Sequence, residues 1–381
     1  MRRPFYGAAP RASQPLPAAV PSPERILLIR MSHLGDVAHA MPVFHALRAA
    51  YPAAEIAWAI QPEFAELVGG ARGPERTFLF GRRDGLRAWM RMRTELLAWA
   101  PDWTVDAQGN VKSSMVALAS GAGRRSGLAR SDWTEPFGAN SLTDAAEPAA
   151  GPHAMQRMLA LARHVAPQVA AGTERFDFDL DTEESKRGAA LFARHAPPGD
   201  GPLWILHLSS HGDVRGWPHE HFAALARAHV AEGGRVLVLS GPDEEGAGRV
   251  LARTVVDEPR IAHWVGQRGL RELAAFFDAA ARAGAHLVAC DSGPTHVAAA
   301  CGLPVTLLAG PQDARRTGPW PAAGARPSAA SPHRIVQAEE APICSPCLAR
   351  VCTHPAGPVC MTGLAPLRVA AALIEATASV R

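Results

Sequence analysis

"RILLIRMSHLGDVAHAMP", Arg25 to Pro42, decides how the chain is read. An apolar run ends abruptly at Arg30. A short polar turn containing Gly35 follows, and apolar residues then recur at helical spacing toward Tyr51. Strand, turn and helix in that order form the repeating unit of a parallel sheet covered by helices. The turn lies just beyond the C-terminal end of a strand, where open α/β sheets bind their ligands. His33, Asp36 and His39 stand at three-residue intervals across it. By spacing they are a metal site, a catalytic carboxylate on a turn, or the polar start of a well-capped helix. The metal reading is the weakest of the three, because His33 precedes the helix and residues six apart do not share a helical face.

Composition sets the frame. The chain has 381 residues, 48% of them hydrophobic, enough for two domains with their own cores. Net charge is +3, from 39 basic and 36 acidic residues, with no dense basic block, which argues against a nucleic-acid partner. No apolar run has the length of a spanning helix. Residues 1–24 are rich in Pro and Ala and lack the apolar centre of a signal peptide, so a disordered leader on a cytoplasmic protein is expected. Lysine occurs only at Lys112 and Lys186, while arginine is abundant. A lysine that survives such a bias is worth attention.

The strand–helix alternation runs through "EIAWAI", "TFLF" and "WTVDAQ" and restarts after "APPGDGP" with "LWILHLS", "RVLVLSG", "IAHWV", "AHLVAC" and "PVTLLAG". The predicted fold class is α/β, two Rossmann-like domains with parallel sheets facing a central cleft. The expected boundaries are 25–180, 181–340 and a cysteine-bearing C-terminal segment, 341–381. Three post-strand loops of the second half suit a nucleoside diphosphate. Ser209, Ser210 and Arg215 in "SSHGDVRGWP", and Ser292, Gly293 and Thr295 in "CDSGPTH", are placed to hold phosphate at helix N-termini. Glu244 and Glu245 in "GPDEE" are placed for ribose hydroxyls. Each residue alone reads equally as a cap or turn residue; their coincidence in one sheet favours the ligand. No GxxxxGK[ST], GxGxxG or GxSxG is present.

Together, "ILLIRMSHLGDVAHAMPVFHALRAAYP", "DAQGNVKSS", "HAMQR", "RGWPHEHFAAL", "GPDEE" and "DSGPTHVAAACGLP" resemble, in order, the motifs of the ADP-heptose:lipopolysaccharide heptosyltransferases, glycosyltransferase family 9. The resemblance covers nearly the whole chain from Arg25. It implies a GT-B fold with the donor in the C-terminal domain and the acceptor in the N-terminal one. It implies an inverting transfer of heptose from ADP-heptose to a lipid A-linked inner-core sugar, without a catalytic cofactor, in peripheral contact with the inner membrane. Asp36 matches the catalytic base of the family, with Gly35 fitting the turn beneath the acceptor sugar. Asp291 and His296 join the donor side, and Arg215 stands where relatives commonly carry Lys. Lys112, Arg130, His153 and Arg157 are expected on the acceptor side, facing an anionic ligand. The rivals are a member using another nucleotide sugar or a protein acceptor, and a non-catalytic nucleotide- or metal-binding protein of the same fold.

Four cysteines, Cys344, Cys347, Cys352 and Cys360, are spaced C-x2-C-x4-C-x7-C. In a reducing compartment such a set suggests a structural zinc or iron ahead of disulfides. Unligated thiols are the alternative.

Overall fold

The computed structural model describes residues 22–81, 85–208, 214–253, 258–266, 269–321 and 331–378. Most of the expected leader therefore lies outside the described residues.

The first sheet holds β1 (Arg25–Ile29), β2 (Glu55–Ile60), β3 (Arg76–Leu79), β4 (Trp103–Asp106), β5 (Arg124–Gly127) and β6 (Asp144–Ala145). The second holds β7 (Leu203–His207), β8 (Arg235–Ser240), β9 (Ile261–Val265), β10 (His286–Cys290), β11 (Val305–Leu308) and β12 (Arg334–Val336). The strand orders are β3-β2-β1-β4-β5-β6 and β9-β8-β7-β10-β11-β12, and every pairing is parallel. Each half is thus the same doubly wound unit, and the strand order reverses between β1 and β4 and between β7 and β10. Those are the points where ligands enter such sheets. β1, β4, β7 and β10 are almost wholly buried, as expected of strands covered on both faces. β5 reads "RRSG", with no apolar signal; it joins the sheet through its register with β4, Trp103 opposite Arg124.

Helices connect the strands: α1 (Leu34–Ala50), α2 (Pro62–Val68), α3 (Gly85–Trp99), α4 (Val111–Ala119) and α5 (Ala154–Val165) in the first half. α6 (Thr182–His195), α7 (His219–Ala231), α8 (Glu245–Arg253), α9 (Leu270–Arg282), α10 (Gly293–Ala300) and α11 (Ala314–Thr317) follow, then α12 (Val359–Thr362) and α13 (Pro366–Ala378). α13 returns to the second half. Leu364, Val369 and Leu373 pack with Trp204, Trp217 and Phe222, and the Trp217 indole donates to Leu364 O at 2.9 Å.

The halves are not independent. One buried apolar cluster includes Ile26, Phe44 and Trp58 from the first and Ile205, Phe276 and Leu287 from the second. At the edge away from the cleft, Arg271 of α9 is buried and pairs with Glu184 of α6. It also donates to the carbonyls of Leu67, Phe178 and Asp179 at 3.2–3.3 Å. A Cβ on Gly70, which has φ +100°, would strike this guanidinium. Glu66 of α2 accepts from Leu270 N at 3.1 Å, so the first half supplies a carboxylate to the start of α9.

Candidate functional site

Arg30 is the first residue beyond β1, and its side chain turns back under the next loop. Its guanidinium donates to Ala107 O at 2.6 Å and reaches Asp36 Oδ2 at 2.7 Å. Gln108, after β4, accepts from Met31 N at 2.6 Å. Asp106 is buried at the end of β4 and accepts from Gln108 N and Gly109 N at 2.8 and 3.0 Å. The two loops at the first reversal point are therefore stitched into one rigid floor. Asp36 stands on it, in the first turn of α1, with one third of its side chain exposed. Burial works to raise its pKa. Arg30, the hydrogen bond from His33 and the field of His39 outweigh that and hold the carboxyl well below its usual range. His33 lies 3.5 Å from the same oxygen, with a positive φ of 63°. Arg30 lay inside the motif unassigned in sequence; its position, the first polar residue after a buried strand, was the available signal.

Gly35 lies against the facing half. A Cβ there would sit 2.5 Å from the His296 ring, across the cleft in α10. Reciprocally, a Cβ on Gly293 would come within 2.7 Å of Leu34. The two glycines let the starts of α1 and α10 touch, so Gly35 serves the approach of the two halves. His39 is buried in the same contact, its ring 4.8 Å from His296 and 6.1 Å from His153. Burial drives its pKa well down, and neighbouring His296 lowers it further. Among the described residues no group of three or more His, Cys, Asp or Glu is arranged to hold a metal ion, and this histidine set is a packed seam.

His153, expected to meet the acceptor, is buried and fully used. Nδ1 accepts from Met155 N at 3.1 Å as the N-cap of α5, and Nε2 bonds Gly318 O at 3.1 Å. Burial lowers its pKa to about 4, against the raising effect of Gly318. It positions the cleft wall. Arg157, one turn on, is half-buried with an unpartnered Nε and lies within the field of Arg30, Arg316 and Asp36. Arg130 is exposed and bonds Asn140 at 2.6 Å. Lys112 is exposed in the first turn of α4. It lines a cavity of about 780 Å³ with Ser32, Gln108, Trp89, Met115 and His33, the last of which contacts Asp36.

On the second sheet, Asp291 and Ser292 lead from β10 into α10. Asp291 Oδ1 lies 3.1 Å from His296 Nε2, while His296 Nδ1 is buried without a partner. Thr295 is fully buried and its hydroxyl bonds Cys290 O at 2.7 Å. It shapes the turn and does not face a phosphate. Ser292 Oγ meets the Thr295 hydroxyl at 2.9 Å and makes no bond to the helix backbone. Glu244 folds over Gly241, and Glu245 pairs with Arg249 on its own helix. Arg215 is half-buried before α7. Ser209 and Ser210 lie outside the described residues.

The four C-terminal cysteines are free thiols, Cys344 and Cys347 exposed and Cys360 buried. Burial raises the Cys360 pKa, and the fields of Cys347, Cys352 and Cys344 raise it further. They do not form a closed metal cage.

Such a cleft, with an ionised carboxylate on one sheet and an open helix start on the other, defines an α/β group-transfer enzyme of the two-Rossmann type. The profile of glycosyltransferase family 9 (heptosyltransferase) matches residues 89–340, and the chain belongs to that family of glycosyltransferases. The chain is 27% identical over 376 residues to lipopolysaccharide heptosyltransferase 1 of Pseudomonas aeruginosa, covering 92% of this chain and 97% of the relative. Among solved structures, the glycosyl transferase family 9 protein of Veillonella parvula superposes with a TM-score of 0.74 at 17% identity, covering 93% of this chain and 98% of that one. The Escherichia coli heptosyltransferase with ADP-2-deoxy-2-fluoro heptose gives 0.67 at 21% identity, covering 92% and 99%. The GT-B arrangement is thereby established. No described helix is long and apolar enough to cross a membrane.

Proposed function

We propose that the protein transfers heptose from ADP-heptose to a lipid A-linked inner-core sugar with inversion, Asp36 acting as the base. The observation that carries this reading is the Asp36 carboxylate. It is ionised by Arg30 on a rigid floor and placed across two glycines from the uncapped start of α10. The acceptor hydroxyl attacks the anomeric carbon, the bond to the ADP oxygen breaks, and the hydroxyl proton passes to Asp36. A carboxylate held so acidic is a weak base. It takes the proton late, once the bond to ADP has largely broken and the attacking oxygen has grown acidic. ADP leaves as an anion toward α10, whose amides and positive dipole end favour it, with Arg215 adding charge. Asp291 holds His296 in the seam between the two sites. Lys112 and Arg157 give the acceptor side a positive wall, in keeping with an anionic glycolipid presented at a membrane surface.

A structural zinc or iron at the cysteines is a separate proposal. The C-x2-C-x4-C-x7-C spacing supports it, together with the influence of the other three thiols on Cys360. Metal analysis of protein prepared without added metal decides it.

The test of the function is incubation of purified protein with ADP-heptose and a Kdo-lipid A acceptor. Release of ADP with a heptosylated product is expected. Turnover only with another nucleotide sugar would overturn the substrate.

A further inference from the structure

The cavity beside Asp36 is not walled by the first half alone. Arg350, from the cysteine-bearing loop near the C-terminal end of the chain, lines it together with Lys112. The loop is pinned where it can do this. Ser345 Oγ donates to Gly310 O at 2.6 Å and Leu348 N donates to Pro311 O at 2.8 Å. Both carbonyls stand just past β11, on the exit edge of the second sheet. Two residues beyond the second pin the chain carries Arg350 over the gap.

Neither Arg350 nor Lys112 forms an ion pair among the described residues. Among the described residues of the cavity wall the one carboxylate is Glu135, which accepts from Val111 N at 2.7 Å and so is engaged at the start of α4. Phe80 and Trp89 meet edge to face on the remaining wall, 5.9 Å between rings. Two cations without an ion pair among the described residues, from distant parts of the sequence and beside an aromatic surface, suit an anionic sugar.

We propose that Arg350 is an acceptor-binding residue, which with Lys112 grips one carboxylate or phosphate from opposite sides of the cleft. The cysteine loop is then part of the acceptor site. Its fork can hold two oxygens at once, which Lys112 cannot. The sugar class rests on the transfer reading above; the convergence of charge does not.

The test is titration of Kdo-lipid A in neutral detergent micelles into the full chain, with no donor present. Arg350→Gln is expected to weaken binding about tenfold or more, with ADP affinity unchanged and Arg350→Lys recovering part of the loss. In turnover, acceptor KM rises by a similar factor while kcat falls far less. The double variant with Lys112→Gln should lose less than the product of the two single losses, because both cations hold one anion. Repeating the titration with dephosphorylated acceptor separates the sources. An Arg350 effect that persists assigns the sugar carboxylate, and one that vanishes assigns the lipid phosphate; either supports the proposal. Wild-type binding by Arg350→Gln overturns it, as does an equal loss of ADP affinity, which reports damage to the β11 edge. A wild type that binds this acceptor yet never uses ADP-heptose fails the transfer reading alone. A wild type that binds no acceptor overturns the proposal.

Discussion

α4 and α10 occupy equivalent places, each following the fourth strand of its half, yet they begin in opposite ways. Asn110 caps α4 with a complete capping box, its side chain accepting from Ser113 N at 3.0 Å, and Glu135 takes the amide of Val111. Ser292 leaves the start of α10 without a side-chain cap and spends its hydroxyl on Thr295. The same topology thus closes one helix end with its own side chains and leaves the other without a side-chain cap. In the first half, charge comes instead from a side chain, the Arg30–Asp36 pair. The comparison teaches that a doubled fold divides the labour of a two-substrate reaction by how it finishes its helix ends.

The largest expected effect breaks the first half. Asp36→Asn should lower kcat about 10²–10⁴-fold with ADP affinity preserved. Transfer at the wild-type rate would remove Asp36 from the chemistry. Next, Ser292→Asp places a carboxylate where α10 is open. It should stabilise the fold slightly while weakening ADP binding about tenfold or more, measured by calorimetry; unchanged affinity means the diphosphate lies elsewhere.

A smaller effect concerns the histidine seam. An unfolded histidine titrates near 6.5, whereas His153 titrates at about 4 in the fold. Between those values the unfolded chain binds the extra proton, so the contribution of His153 is complete above 6.5 and fades as pH falls toward 4. His153→Gln should flatten the decline in stability between pH 6.5 and 4.5 by up to about 1.4 kcal/mol per pH unit, followed by urea unfolding. A slope equal to wild type would mean that this ring is already charged. Smallest is Asn110→Ala, expected to cost about 1 kcal/mol of stability and nothing in ADP affinity. A loss of ADP affinity there would erase the contrast between the two helices.

The sequence made the fold legible because buried parallel strands write themselves as continuous Ile, Leu and Val, and the turn after each marks the cleft. The position of Asp36 at such a turn was legible in the same way. What escaped were residues whose role depends on the facing half. The close approach of Gly35 to His296 was not legible because nothing near it in sequence reveals the facing helix. His153 and Thr295 looked like ligand contacts because residue type does not report burial. β5 carries Arg and Ser where a strand signal would be apolar, since Arg124 covers the Trp103 ring at 3.9 Å. Arg350 stood in a cysteine loop read for metal alone.

Arg271 has a consequence for how the molecule comes apart. Three carbonyls and a carboxylate share its one buried guanidinium, Leu67 from the first half and Phe178, Asp179 and Glu184 from the connecting stretch, and losing Glu184 would strand a buried charge. With an apolar cluster continuous across both sheets, neither half has a boundary at which it can be shed cheaply. Heat should therefore take both together, in a single transition, and a ligand seated in either half protects the other from denaturation.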